Sequence, residues 1–495
     1  MWGALVLLGT LGCKGKDDAP VAKAPLPPAP VAPAEPEEPA PVTQPVFPEG
    51  TRSLELTRTV GVRLEPGDGE KRIGTIAIDT RVAWTRTASG KGCDKKWIEV
   101  QPRGWICGDY VKPSDKPPYG QEVPLLARGE IVPGTYGKVT APMSSTYKLE
   151  KPEPPKKPKK HDKHDKKKKA KKGDDDDDAP PAPVITEPRM VEDKPLVGSI
   201  NVRDYEEITM AGKTYWKIAQ KDNQYVLKAA ISQHRPSTYG GARLGDDTGW
   251  AVPFAFVWPR AVYQQAWTFA KSTGAGVMRQ LTARIGVPIL ETVADKAGKA
   301  TAYRIGEAEW MMAADVRVFT PAAPPLLIEK GERWIDVDVD TEILVAYEGD
   351  TAVYSTMVST GAKDTPTETG VYRMWLKESE ADMKGLNGED PYSVATVPWT
   401  QFFSPEKGLA LHTAYWHDQF GIRRSHGCVN LAPRDARWLY FWSDPQVPPG
   451  WTMAAGVVEA PGSVVRVRSK DDPDPQLRGY AKKVLETRQA NAPAK

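Results

Sequence analysis

The chain has 495 residues, 47 of them Pro and 42 Gly, which is length enough for two to four domains. Its formal net charge of +3 is too close to neutral to imply a nucleic-acid partner, and no internal run approaches the roughly 20 apolar residues of a membrane span. Apolar residues make up 40% of the sequence and Pro is unevenly placed, so ordered domains must alternate with segments that cannot form a core.

Residues 1–13, MWGALVLLGTLGC, are apolar and end in Leu-Gly-Cys. They read as a secretory segment with a lipoprotein cleavage site, Cys13 being the lipidated residue. The plain alternative is an apolar stretch with no lipid. A lipidated Cys13 would anchor the protein to a membrane on the periplasmic side of the cell envelope, given more than one acyl chain. Residues 14–49 are rich in Pro and Ala, which favours an extended linker of about 3.1 Å per residue, or about 100 Å in all.

Residues 50–115 carry alternating strand-like runs (GVRL, IGTIAI, KKWIEV, GWICGDYV) broken by Gly-rich turns. Cys93 and Cys107 lie fourteen apart in this unit and could pair, which suits an exported protein. The succession Trp97-Ile98-Glu99-Val100, Gly104-Trp105-Ile106 and Asp109-Tyr110-Val111 resembles the end of a bacterial SH3-like domain. Short strands, two Trp and a disulfide fit a small barrel. The pattern recurs at Tyr215-Trp216-Lys217-Ile218 with Gln224-Tyr225-Val226, and at Tyr303-Arg304-Ile305 with Glu309-Trp310-Met311 and Asp315-Val316. One or two further SH3-like units are therefore expected within 195–325; unrelated hairpins that happen to use Trp are the alternative.

The stretch 116–194 is expected to be linker. It contains a Lys block followed directly by an Asp block (156–178) with no apolar face to bury, so disorder is expected there. The alternative is that the Lys run grips an anionic envelope polymer. His161 and His164, crowded by Lys, make poor metal ligands. Residues 330–468 read as one β-rich domain with strands at WIDVDV, EILVAYEG, AVYSTMVST, GVYRMWLK and SVVRVR, and a hairpin turn at Gly349-Asp350. The tail 469–495 is polar, with a short helix expected over QLRGYAKKVLETRQ.

The chemistry concentrates in 411–442. His412, His417, His426 and Cys428 fall within 17 residues, three of the six His beside the one Cys not otherwise assigned. An odd thiol in an exported protein suggests a reactive one. A Cys nucleophile needs a base within hydrogen-bond reach and oxyanion donors nearby. Gly427 stands just before Cys428, where backbone must approach a substrate closely.

The pattern His412…Ser425-His426-Gly427-Cys428-Val429-Asn430 resembles that of the L,D-transpeptidase catalytic domain, also called YkuD-like. Val358-Ser359-Thr360-Gly361, then Pro366 and Gly370-Val371-Tyr372, resemble the strand-turn-strand that precedes the site in that family. The resemblance covers about 140 residues. It implies a mainly β protein: SH3-like barrels, disordered linkers and a β-sandwich-like catalytic domain with Cys and His under a flap. It implies peptidoglycan stem peptides as substrate, with Cys428 attacking the carbonyl of the third residue and releasing the terminal D-residue. The thioester then passes to an amine, which could belong to another stem or to a lysine-bearing envelope protein. No cofactor and no metal are implied.

Carried over by position, Cys428 is the nucleophile, His412 the base, and the Thr413 carbonyl or one near it orients the imidazole. Ser425, His426 and Gly427 shape the oxyanion hole and acyl pocket, and Asn430 contacts substrate. Many family members have Arg at that last position. Arg423 and Arg424 are candidates for a substrate carboxylate, since guanidinium holds carboxylates bidentately; a solvated loop pair is the alternative. Three other readings remain open at this level: a zinc site built from the His and Cys, His417 as base in place of His412, and Cys428 as a buried thiol. An L,D-carboxypeptidase or hydrolase using the same acyl-enzyme, and a non-catalytic wall-binding scaffold, are the competing functions.

Overall fold

Alternating and β-branched runs make nearly all the regular structure, with two short α-helices beside them among the described residues. The computed structural model describes residues 47–152, 187–245, 252–259, 265–319, 321, 323–325, 328–385 and 391–490. Cys13, the Pro/Ala-rich stretch, the Lys/Asp run, His161 and His164 lie outside them. The folded body is a single unit, Pro48–Lys495. Among the described residues no helix is long and apolar enough to cross a membrane.

The C-terminal domain is built on a six-stranded sheet. Its centre is Arg333–Asp338, antiparallel to Ile343–Glu348 and parallel to Val464–Arg468. Four of the six residues of Arg333–Asp338 are buried, because neighbouring strands and a packed core cover it. Asp336, enclosed within this sheet, takes Arg466 Nε at 2.7 Å and Arg468 Nε at 2.9 Å on separate carboxylate oxygens. Gly349-Asp350 turns Ile343–Glu348 into Thr351–Met357, with Gly349 at φ +58°, a conformation glycine adopts without penalty. The core holds Trp334, Val345, Tyr347, Met357, Phe420 and Val464. A long hairpin, Leu376–Gly385 with Tyr392–Ser404, is followed by Leu409–Thr413, which pairs parallel to Val429–Leu431. Helix Pro433–Trp442 starts with Pro at its first position. Its buried Asp435 accepts Tyr354 Oη at 2.6 Å and the Gly241 N–H at 2.8 Å, tying helix to sheet.

Three small β modules precede this domain, each of eight strands among the described residues. The first runs from Ser53–Leu56 to Val111–Ser114, the second from Thr135–Val139 to Ile231–Gln233, the third from Phe254–Val257 to Val316–Val318. In each, the last two strands bracket a 3₁₀ turn: Gly108–Tyr110, Lys228–Ala230 and Ala313–Asp315. Cys93 and Cys107 are joined by a disulfide, with Cα atoms 5.5 Å apart.

The expectation of linker from 116 to 194 is corrected here. Thr135–Val139 and Ser145–Glu150 are strands, and the second module starts some 60 residues before position 195. Glu150 pairs with Arg189, so the Lys/Asp run separates two residues that are cross-strand neighbours. The run is an insertion between adjacent strands, and its composition hid the short strands flanking it.

Two modules extend a second sheet of the C-terminal domain, the one that holds the long hairpin. Arg72–Ile76 of the first pairs antiparallel with Trp451–Ala455. Gly74 permits this, because a Cβ there would lie 2.1 Å from the Trp451 ring. Ser199–Asp204 of the second pairs parallel with Tyr392–Ser404 on the long hairpin. One thirteen-stranded sheet results. The third module joins through side chains instead: Arg317 donates to the carbonyls of Thr341 and Gly421, and Arg284 forks onto Asp418 at 2.6 and 3.0 Å.

Candidate active site

Strand Leu409–Thr413 is buried at every position, which fixes the backbone that carries His412. Its parallel partner sets Leu411 opposite Val429 and His412 opposite Asn430. Cys428 immediately precedes that partner strand, and it lines, with His412, one cavity of about 720 Å³. His412 Nδ1 lies 2.9 Å from the Thr413 carbonyl oxygen. A carbonyl only accepts, so Nδ1 carries the proton and Nε2 keeps its lone pair. Burial pushes His412 down to about 4, against a smaller opposing effect of the Thr413 carbonyl. Burial pushes the Cys428 thiol up to about 11, although the Ala410 backbone favours the thiolate. Burial thus favours the uncharged form of each group, thiol and neutral imidazole.

The turn that presents Cys428 is held from behind. The Thr360 carbonyl accepts the N–H groups of Arg424 and Ser425 at 2.8 and 3.0 Å. Thr360 is itself held through its N–H and hydroxyl by the buried carboxylate of Glu342, which burial raises to about 7. Ser425 Oγ donates to the Cys428 carbonyl and accepts the Gly427 N–H at 3.1 Å. Thr367 Oγ1 donates to the Gly427 carbonyl at 2.8 Å. Gly427 sits at φ +118°, a region open to glycine and costly for other residues. The Gly427 N–H is thus consumed inside the turn, whereas the Cys428 N–H has no hydrogen bond to any described residue.

The remaining sequence-predicted residues divide. Asn430 is buried and lines the cavity. His417 does not line it. Its Nδ1 accepts the Gln419 N–H at 3.1 Å and its Nε2 lies 3.1 Å from the Asn430 side-chain amide. His426 is exposed at the cavity rim, stacked on Tyr392 with ring centroids 4.5 Å apart. Arg424 lines the cavity and donates to Gln419 Oε1. Arg423 is not brought there. Its guanidinium donates twice to the Val339 carbonyl, at 2.9 and 2.6 Å, and pairs with Asp340 at 3.1 Å. Adjacent loop residues point to opposite sides, so one Arg braces the fold while the other meets the cavity. Among the described residues the geometry groups no His with Cys428 as metal ligands; the one potential cluster contains the disulfide-bonded Cys93 and Cys107.

Sequence reasoning missed the far wall. Lys138, Asn201 and His234 of the second module line the same cavity, with Tyr392 and Met383 of the long hairpin. Nothing local in the sequence marks them, because their placement depends on the parallel pairing of Ser199–Asp204 with Tyr392–Ser404.

Residues 332–467 match the family model described as the L,D-transpeptidase catalytic domain. Over 110 residues, 21% of this chain, the sequence is 31% identical to L,D-transpeptidase 2 of Mycobacterium tuberculosis, of which it covers 27%. Over 125 residues, 23% of this chain, it is 26% identical to the putative L,D-transpeptidase YciB of Bacillus subtilis, of which it covers 62%. The chain thus spans less than two thirds of either relative. A crystal structure of an Enterococcus faecium L,D-transpeptidase mutant overlaps 31% of this chain and 55% of its own, at 26% identity and a TM-score of 0.23. An L,D-transpeptidase from Mycobacterium smegmatis overlaps 36% of this chain and 88% of its own, at 21% identity and a TM-score of 0.23. The family-model match places an L,D-transpeptidase-type catalytic domain in the C-terminal region.

Proposed function

We propose that the protein is a cysteine-dependent peptidoglycan L,D-transpeptidase in which Cys428 is the nucleophile and His412 the base. The observation that carries this is the His412 ring: its Nδ1–H is tied to the Thr413 carbonyl, leaving Nε2 as the proton acceptor in the cavity that Cys428 lines. In the acylation step Nε2 takes the thiol proton as sulfur attacks the stem-peptide carbonyl. The proton moves as the bond forms, in keeping with burial that favours the uncharged form of each group. The unengaged Cys428 N–H receives the developing oxyanion, the role that preorganised donors serve in acyl transfer. His412 then hands its proton to the departing amine of the terminal residue. A second amine attacks the thioester, His412 takes that amine's proton, and the sulfur leaves and is reprotonated. Ser425, Gly427 and Glu342 shape the turn and do not touch the reacting atoms.

The three N-terminal modules are read as SH3-like wall-binding units, a reading supported by their shared strand, 3₁₀ turn, strand ending. Lipidation at Cys13 would hold the enzyme at a membrane on the outer side of the cytoplasmic barrier, facing the wall. The acceptor amine is that of a second stem or of an envelope protein's lysine. Incubation of the full chain with tetrapeptide muropeptides, read by mass spectrometry, tests the function. Cross-linked dimer is the expected product; trimmed monomer alone would make the enzyme a carboxypeptidase, and unchanged substrate would leave only a wall-binding role.

A further inference from the structure

The cavity has two walls from distant parts of the chain. Cys428, His412, Asn430 and Arg424 form one; Lys138, Asn201 and His234 of the second module form the other. The second wall is joined to the first by strand pairing and side-chain contacts. Ser199, Ile200 and Asn201 lie in parallel register with Tyr392, Ser393 and Val394. Tyr136 stacks on Tyr415 with ring centroids 4.0 Å apart, and Arg203 pairs with Glu380. Gly198 lets the chains meet, since a Cβ there would lie 2.1 Å from the Pro391 carbonyl oxygen.

The polar groups on this wall have a definite pattern. Lys138 and Asn201 are cross-strand partners. His234 Nε2 lies 2.7 Å from Asn201 Oδ1, so Nε2 donates and Nδ1 is left as an acceptor. Asn201 is buried, yet its Nδ2 makes no hydrogen bond to a described residue and is not among the enclosed orphan atoms. Lys138 is exposed to the cavity and forms no ion pair with a described residue. Burial, reinforced by the nearby Lys138 charge, lowers His234 to about 4, so this ring stays neutral and Lys138 is the wall's cation. One ammonium, one amide donor and one bare ring nitrogen match a peptide C-terminus: a carboxylate for the first two and the adjoining amide N–H for the third.

We propose that the second β module supplies the binding site for the terminal carboxylate of the peptide that Cys428 attacks, with Lys138 as its charge partner and Asn201 and His234 as its hydrogen-bonding partners. The identity of that peptide as an acidic stem rests on the function proposed above. Substrate is then gripped on both sides of the scissile bond, and the module is part of the specificity machinery as well as a wall-binding unit.

The test compares one stem tetrapeptide with its terminal carboxylate free and the same peptide amidated there. Binding is measured by calorimetry on the full chain carrying Cys428→Ala, so that no turnover intervenes. The free carboxylate should bind about tenfold more tightly, in the range of one charge-assisted hydrogen bond. Adding Lys138→Ala should reduce that ratio below about threefold, and Lys138→Arg should retain most of it, a rescue that a merely structural lysine would not give. A ratio untouched by Lys138→Ala, or binding of neither peptide, would overturn the proposal. Turnover of the tetrapeptide by the Cys428-intact chain is read separately. A Lys138-dependent preference without any product would remove the transpeptidase reading and leave the carboxylate site standing.

Discussion

His417 Nε2 lies 3.1 Å from the side-chain amide of Asn430, while His417 Nδ1 accepts the Gln419 N–H. The atom placed there is Asn430 Nδ2, but a neutral ring that accepts at Nδ1 must donate at Nε2, so hydrogen-bond logic assigns the Asn430 amide the flipped orientation, with its oxygen towards His417. His412 and His417, five residues apart, thus have different tasks. His412 has a ring nitrogen free for chemistry; His417 has both committed and positions Asn430. His412→Ala should suppress acylation of Cys428 at least about tenfold more than His417→Ala, since general-base assistance contributes roughly 10²–10⁴-fold. The check is the second-order rate of adduct formation for both variants across pH 5–9. Equal losses would mean that the base is misassigned.

The commitment of His417 also has a pH consequence. Burial first, then the charge of Arg424, lowers it to about 3 in the folded protein. The unfolded chain binds the proton near pH 6.5 and the folded chain does not, so this group's contribution is present above pH 6.5 and is lost as pH falls towards 3. Replacing the ring by His417→Gln removes that dependence. Wild type should exceed the variant in stability at pH 7, and the gap should narrow by about 2 kcal/mol on going to pH 5. Denaturant unfolding of both proteins at the two pH values measures it; a gap that widens on acidification would contradict the assignment.

Cys428 should lack the low-pH reactivity of a thiolate–imidazolium pair. With its thiol raised to about 11, the thiolate fraction grows about tenfold per pH unit through neutrality. Iodoacetamide alkylation of Cys428 should therefore keep rising from pH 7 to pH 10. A plateau beginning below pH 8 would show a preformed ion pair.

Much of the site was legible because its chemistry is local. His412 and the turn Ser425 to Cys428 stand in a short stretch, and Gly349-Asp350 and the strand Val464–Arg468 follow from turn residues and alternation. What was not legible depends on pairing between distant segments. Thr135–Val139 is a five-residue strand interrupted by a glycine, with little apolar content to mark it. Its Lys138 reaches the cavity only because Ser199–Asp204 pairs with a strand nearly 200 residues further on. The opposite fates of Arg423 and Arg424 turn on which carbonyls face each side of one loop, and a dipeptide carries no sign of that.

The Cys93–Cys107 disulfide lies in the first module, away from the cavity residues. Replacing both cysteines by Ala should lower stability by about 2–4 kcal/mol, as expected for opening a loop of this length, with acylation of Cys428 retained. Thermal unfolding and adduct rate on the same preparation check it. Loss of acylation in a protein that remains folded would mean that the pair takes part in the chemistry.

Covalent capture bears most directly on Cys428 as the nucleophile. A carbapenem presents a strained carbonyl in place of the stem-peptide acyl donor, and intact-mass spectrometry followed by peptide mapping locates the bond it forms. One adduct on wild type, mapped to Cys428 and absent from Cys428→Ala, is the predicted result. An adduct that persists in the folded Cys428→Ala protein, or that maps to another residue, would contradict the account.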